Sequence, residues 1–102
     1  MESNVTTSME KIELRPLVGL TRGLPLADLE ALTIEAIRAH RHLVAKADKL
    51  FQALPDDYKT GKAAGGAQHL DSIGASIEMH AQMSVVNTLV SILGYIPKAS
   101  MN

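Results

Sequence analysis

Apolar residues recur at helical spacing over residues 26–54. Projected at about 100° per residue, one face of this segment is apolar and the opposite face is charged. The apolar face consists of Leu29, Leu32, Ala36, Leu43, Ala47, Leu50 and Leu54, and beside it lie Ile37, Val44 and Phe51. Pro25 precedes the segment and Pro55 ends it, since proline is tolerated only in the first turn of a helix. The pattern predicts an amphipathic helix over residues 26–54.

A second helix is predicted over residues 68–93, with Gly94 and Pro97 as its stop signals. Residues 55–67 between the two helices contain three glycines and are expected to form a loop. The first half of the second helix carries one apolar stripe. The members of this stripe are Leu70, Ile73, Ile77 and Ala81.

The second half of this helix belongs to a stretch without charge, because residues 79–97 include no Asp, Glu, Lys or Arg. Such a stretch must be buried in a membrane, in the protein's own core or against another chain. A spanning helix needs about 20 predominantly apolar residues, whereas the densest part here, residues 85–96, is shorter and includes Asn87 and Ser91. The pattern therefore excludes a membrane span and favours a buried helix in a bundle.

The two helices are expected to pair as an antiparallel hairpin, and a hairpin has no third side to cover the wide apolar surface of its second helix. We therefore expect a homodimer, most simply a four-helix arrangement of two hairpins, with an interface above about 2,000 Å² if it is obligate. Asn87 is expected to fix the register, as buried amides do in bundles. The predicted interface residues are Met79, Met83, Val86, Asn87, Leu89, Val90 and Leu93.

The residues before the first helix fall into two parts. Residues 1–9 are polar and rich in Ser and Thr, which predicts a mobile segment. Residues 12–20 are apolar but contain Pro16 and Gly19, so at most a short helix or turn is expected. This apolar segment is interpreted either as a flap over the end of the hairpin or as a docking surface. Residues 1–102 as a whole are predicted to form a single all-α domain.

Composition and charge restrict the classes of function. Ten basic and eleven acidic residues give a formal charge of −1, so no global attraction for nucleic acid or an anionic membrane is expected. The absence of cysteine removes disulfides and thiol chemistry and is compatible with a reducing compartment. The first ten residues lack the apolar core of a signal peptide. A cytoplasmic protein is expected.

The four histidines were considered as metal or acid-base groups. His40 and His42 point in different directions on a helix, and no acidic residue stands at ligand spacing from either. His40 is more simply a core histidine that satisfies one buried hydrogen bond. No Ser-His-acid or paired-carboxylate pattern is present, so we expect no enzyme, no metal, no cofactor and no small-molecule substrate.

Basic residues on the exposed face of the first helix support an alternative function. Arg38, Arg41, Lys46 and Lys49 form a cluster that Glu35 and Asp48 dilute. A solvated helix face is the simpler interpretation. The alternative is a small helical dimer that binds nucleic acid through this basic face.

Three blocks of the chain are distinctive: ELRPLVGLTRGLP at residues 13–25, FQALPDDYKTG at residues 51–61, and SIEMHAQMS with NTLVSILGYIPK between residues 76 and 98. Together they resemble the TraM family of quorum-sensing antiactivators. None of these blocks is a chemical motif, and their specificity lies in their order and spacing along nearly the whole chain.

The resemblance implies a small, all-helical, dimeric cytoplasmic protein of plasmid-bearing bacteria. Such a protein binds TraR, a LuxR-type activator that responds to an acyl-homoserine lactone, and keeps it from its promoters, so that conjugal-transfer genes stay off. It would have no DNA site of its own. It would either cover the helix-turn-helix domain of the activator or hold that domain where it cannot span two half-sites. The residues expected to contact the activator are apolar and lie at the ends of the bundle: Leu14, Leu17, Leu20 and Leu54.

Overall fold

The computed structural model describes residues 13–99, which form an antiparallel helical hairpin with a short helix in front of it. The helices are α1 (Pro16–Thr21), α2 (Leu26–Gln52), α3 (Asp56–Lys59) and α4 (Ala67–Leu93). The predicted all-α hairpin is confirmed, and its long helices end within two residues of the expected positions. The prediction of a mobile segment at residues 1–9 lies outside the described residues.

Three contacts between α2 and α4 fix the antiparallel register. Gln68 Nε2 donates a hydrogen bond to the carbonyl of Ala53 at 2.9 Å, Lys46 Nζ lies 3.2 Å from Glu78 Oε1, and Gln82 Nε2 donates to the carbonyl of Ala36 at 3.1 Å. Residue numbers therefore increase along α2 as the numbers of the residues they contact on α4 decrease, so the two helices are antiparallel. The connection between the helices defines the loop end of the hairpin, and the opposite end, where α2 begins and α4 finishes, is the open end.

The connecting segment differs from the predicted loop because it contains α3. Pro55 precedes this single turn and Asp56 and Asp57 occupy its first positions, an arrangement that favours a helix start because acidic groups offset the positive end of the helix dipole. The rings of Tyr58 and His69 meet edge to face with centroids 5.4 Å apart. Nδ1 of His69 accepts a hydrogen bond from the backbone N–H of Gly65 at 2.8 Å. These contacts join the connection to the first turn of α4.

The core of the hairpin changes in character along its length. Toward the open end it is a cluster of larger side chains that includes Leu29, Val86, Leu89 and Leu93. In the loop half, small residues are buried along the helices, Ala47 on α2 and Ser72 and Ala75 on α4, and Leu54 is buried just after α2. Among the large apolar side chains of this half, Phe51, Leu70 and Ile77 are exposed.

α1 lies across the C-terminal half of α4 and is held there by a buried threonine. The backbone N–H of Leu14 donates a hydrogen bond to Oγ1 of Thr88 at 3.1 Å, and Thr88 is completely buried. Leu17 packs against the core cluster, and the hydroxyl of Thr21 donates to the carbonyl of Leu17 at 2.8 Å. The short N-terminal helix expected from the sequence is therefore part of the folded unit.

The substitution Thr88→Val tests this anchor. It keeps the side-chain shape but removes the acceptor of the Leu14 N–H, so we expect the free energy of unfolding to fall by about 1 kcal/mol. Urea unfolding at a fixed protein concentration measures this loss, and amide hydrogen exchange at Leu14 is expected to become faster.

Thr33→Val is the matched control, because Thr33 is equally buried but its hydroxyl bonds only to the carbonyl of Leu29 in its own helix. We expect it to change stability by less than about 0.5 kcal/mol. Equal losses in the two variants would contradict the anchoring role of Thr88.

Candidate functional site

A groove of about 630 Å³ runs between α2 and α4 on one side of the hairpin. Five apolar side chains and five polar ones line it. They include Ile37, His40 and Arg41 from α2, Met83, Val86, Asn87, Val90 and Ser91 from α4, and Ile96 from the segment after α4. Glu13, at the start of the described chain, also lines it. The groove has the composition of a protein docking site rather than of a catalytic cleft.

An apolar row on α2 extends the groove toward the loop end. Ile37, Val44 and Phe51 are spaced seven residues apart, so they lie along one edge of the helix. Val44 and Phe51 are each 41% exposed, although both are large and apolar. The groove and this row together make an uncovered apolar face along most of the hairpin.

The predicted dimer-interface residues fall into two groups. Met83, Val86, Asn87 and Val90 line the groove, and half-buried Met79 lies one turn before Met83.

The other two predicted interface residues, Leu89 and Leu93, are buried in the core of a single chain. The side-chain amide of Asn87 donates a hydrogen bond to Oε2 of Glu13 at 3.3 Å, so within one chain it connects α4 to the N-terminal segment. The assignment of these seven residues to an interface remains a prediction.

The segment after α4 closes one end of the groove. Gly94 has φ 95° and donates its N–H to the carbonyl of Val90 at 2.8 Å, the usual geometry for a glycine that ends a helix. Tyr95 then donates its hydroxyl to Oε2 of Glu30 at 2.8 Å. This hydrogen bond to the carboxylate raises the pKa of Tyr95 above 10.0, its ordinary value. Ile96, which lines the groove, is thereby held close to the start of α2.

A second apolar surface lies on the outer face of α4, away from α2. Its members are Leu70, Ile73 and Ile77. Leu70 and Ile77 are 63% and 64% exposed, and helical projection places them within about 20° of Thr88. α1 covers this face at Thr88 but leaves it bare in the loop half. The apolar stripe was visible in the sequence; what turns it outward is the burial of Ser72 and Ala75, which the apolar pattern alone did not reveal.

The residues expected to contact an activator lie at both ends of the hairpin. Leu14, just before α1, and Leu17, within it, are half-buried, and Leu20 is 76% exposed at the open end. Leu54 is 4% exposed at the loop end. Since α2 has 27 residues, the two ends are separated by about 40 Å. One chain therefore does not bring these four residues together, and their role in contacting an activator remains a prediction.

The groups considered for other chemistry are dispersed. Within residues 13–99, no three His, Asp or Glu side chains are arranged to hold a metal ion, and no helix of that range is long and apolar enough to cross a membrane.

Among the basic residues, Arg38 lies 3.8 Å from Glu35 and Lys46 pairs with Glu78. Helical projection spreads Arg38, Arg41, Lys46 and Lys49 over about 140°, so they do not form a single narrow track.

A charge-balanced helical hairpin with two uncovered apolar faces defines a protein-interaction module. Comparison with known proteins identifies the particular family. Residues 1–98 match the model of the family described as Prokaryotic Transcriptional repressor TraM, and the chain belongs to that family, whose members are transcriptional repressors rather than enzymes.

The relatives cover the chain almost completely. It is 72% identical over 102 residues, the full length of both chains, to the transcriptional repressor TraM of Agrobacterium fabrum (strain C58 / ATCC 33970). It is 67% identical over 101 residues to that of Rhizobium radiobacter, spanning 99% of this chain and 96% of the relative.

A solved structure is also similar. The crystal structure of a second quorum sensing antiactivator, TraM2 from A. tumefaciens strain A6, has a TM-score of 0.85 and 69% identity. The match covers 86% of this chain and 99% of that chain.

Replacing Tyr95 by Phe tests the closure of the groove. A raised pKa in the folded state means that the hydrogen bond stabilises the protein fully below about pH 10, the unfolded value, and that this stabilisation is lost as the pH rises through the higher folded value. We expect Tyr95→Phe to be less stable than the wild type at pH 8, with the difference disappearing at high pH, in urea unfolding at 25 °C.

Tyr58→Phe serves as the control, because Tyr58 contacts a histidine ring and not a carboxylate. A Tyr95→Phe deficit that is the same at every pH would show that the hydrogen bond to Glu30 is not its cause.

Proposed function

We propose that this protein is a homodimeric antiactivator that binds a LuxR-type quorum-sensing activator of the TraR kind and prevents it from binding DNA, so that conjugal-transfer genes stay off. The relatives named transcriptional repressor TraM and the solved antiactivator TraM2 support this function. The observation that carries it is the pair of uncovered apolar faces on a chain with a formal charge of −1. Such surfaces suit binding to a protein rather than to DNA.

Dimerisation accounts for the first apolar face. In an isologous dimer, the same patch of both copies meets across a two-fold axis. If one hairpin is turned end for end against the other with Val44 on the axis, Ile37 of each copy lies opposite Phe51 of the other, because both are seven residues from Val44. The same arrangement brings Arg41 close to Asp48 of the other copy, so opposite charges flank the apolar row. Met83 and Val90 then become part of the interface from within the groove.

The activator is proposed to contact the ends of this dimer. Leu14 and Leu17 fix α1 to the hairpin, which leaves Leu20 at its surface as the residue available for direct contact. Leu54, buried at the loop end, supports the surface there. Binding at these positions would cover the DNA-binding domain of the activator or hold it away from one half-site. Because this encounter involves a transcription factor, the protein would act in the cytoplasm.

Val44→Asp tests the dimer. It places two carboxylates next to each other at the two-fold axis, which is strongly unfavourable in an apolar interface. We expect light scattering at micromolar concentration to give the mass of one chain for this variant and of two chains for the wild type. Leu32→Asp is the matched control, since Leu32 is an exposed leucine on α2 outside the row of Ile37, Val44 and Phe51, and it should remain dimeric. A monomeric wild type would refute the homodimer.

Leu20→Glu tests the contact with the activator. We expect the wild type to remove a TraR-like activator from its operator in a gel-shift assay with acyl-homoserine lactone present. Leu20→Glu should need at least about tenfold more protein, because a buried apolar contact is replaced by a charge, while remaining dimeric. Leu32→Glu should behave as the wild type.

Two results would contradict this assignment. A Leu20→Glu variant that inhibits normally would exclude Leu20 from the contact, and one that is monomeric would give it a structural role. The same gel, run without activator, tests the alternative. A shift of DNA by this protein alone, weakening steeply with salt, would favour nucleic-acid binding through Arg38, Arg41, Lys46 and Lys49.

A further inference from the structure

We infer that each activator-binding site is shared between two copies of the chain, with Leu20 on α1 contributed by one copy and Leu70 and Ile77 on α4 contributed by the other. This inference rests on the antiactivator function and the end-for-end dimer proposed above. It adds Leu70 and Ile77 to the contact surface and makes the site incomplete in a single chain.

Each chain has two exposed apolar positions, Leu20 on α1 and Leu70 on α4, that are too far apart for one compact contact. α1 covers α4 at Thr88, and Leu70 lies 18 positions earlier on the same helix, which corresponds to about 27 Å. Leu20 by itself offers one leucine. A stable interface needs about 800 Å² from each partner, so an isolated leucine is too small to form the whole site.

The end-for-end dimer brings Leu20 of one copy close to Leu70 of the other. In that arrangement the α4 helices of the two copies run side by side in opposite directions. The half of one α4 that carries α1 is then next to the bare half of the other. Both halves face the same way, because Leu70, Ile77 and Thr88 project from α4 within about 20° of one another. Leu20 of one copy and Leu70 of the other therefore contribute to one continuous apolar surface, which occurs twice per dimer.

The charged residues beside the bare half of α4 indicate the chemistry of the occupant. Two acidic residues border the bare half of α4: Asp71 follows Leu70, and Glu78 follows Ile77, although Lys46 at 3.2 Å offsets the charge of Glu78. An apolar centre with acidic residues at its edge fits a helical DNA-binding domain, which presents basic groups around its own apolar contacts. The occupant is accordingly the DNA-binding domain of the activator, whose basic surface would otherwise contact phosphates.

Mixed dimers of two variants provide the test. Leu20→Glu alters α1, and Leu70→Glu alters the bare half of α4; both positions are exposed, and circular dichroism checks that each variant folds. Each pure variant should lose at least tenfold in releasing the activator from DNA. Two chains with different affinity tags are then co-expressed, and the mixed dimer is purified on both tags in succession.

In the mixed dimer, one site contains both substitutions and the other contains neither. We expect it to regain inhibition and to bind half as many activator chains as the wild-type dimer in native mass spectrometry. If each site belonged to one chain, every site in the mixed dimer would carry a substitution and no inhibition would return. A mixed dimer of Leu20→Glu with the Leu32→Glu control should likewise retain one intact site.

Three outcomes overturn the inference while leaving the proposed function intact: an inactive mixed dimer, a Leu70→Glu dimer that inhibits normally, and a Leu70→Glu protein that is monomeric. Ile77→Glu replaces Leu70→Glu in the same test if the latter does not fold. If the wild-type protein itself fails to release the activator, the proposed function fails and this inference fails with it.

Discussion

A pair of helices can bury only one side of each helix, and this geometric limit determines the rest of the structure. That side of the hairpin forms a core of leucines and a valine at the open end, and of alanine, serine and Leu54 at the loop end. The remaining apolar surface must be covered by something else. α1 covers part of it through Leu17 and the hydrogen bond from Leu14 to Thr88. The groove and the outer stripe of α4 remain uncovered in a single chain.

The placement of small residues decides which apolar residues become available for binding. Ala47 and Ala75 in the loop half allow α2 and α4 to approach closely, so Phe51, Leu70 and Ile77 are left outside. Larger residues at the two alanine positions would separate the helices and change both uncovered faces. The residues buried between the helices therefore influence which apolar surfaces a partner would meet.

The sequence predicted the hairpin, the short N-terminal helix and the helix ends well because these depend on local signals. The period of apolar residues in α2, together with Pro25, Pro55 and Gly94, specifies them directly. The sequence predicted less well which side chains of α4 face α2 and which face outward. Leu89 and Leu93, which the pattern predicts at an interface, are buried in the core of a single chain, and the pattern does not predict the outward position of Leu70. In a helix that is apolar around about half its circumference, the pattern does not say which part faces the partner helix. That choice follows from tertiary packing of small residues.

The sequence also did not predict the buried role of Thr88, since a threonine within an apolar run gives no indication that a distant backbone N–H will bond to it.

If the proposed dimer forms, the same limit would make a single hairpin a poor inhibitor and a dimer a better one. A transcription factor that binds two half-sites has two DNA-binding domains related by symmetry, and an inhibitor with one small apolar patch would engage one of them weakly. The proposed end-for-end dimer would join the α1 end of one hairpin to the loop end of the other and so produce two larger surfaces, one at each end. Two such surfaces held on a rigid bundle would bind two domains with a gain from effective concentration, and they would hold those domains at the spacing of the bundle rather than at the spacing of the operator. Inhibition would then follow from geometry as well as from coverage, and it would require no positive charge on the inhibitor.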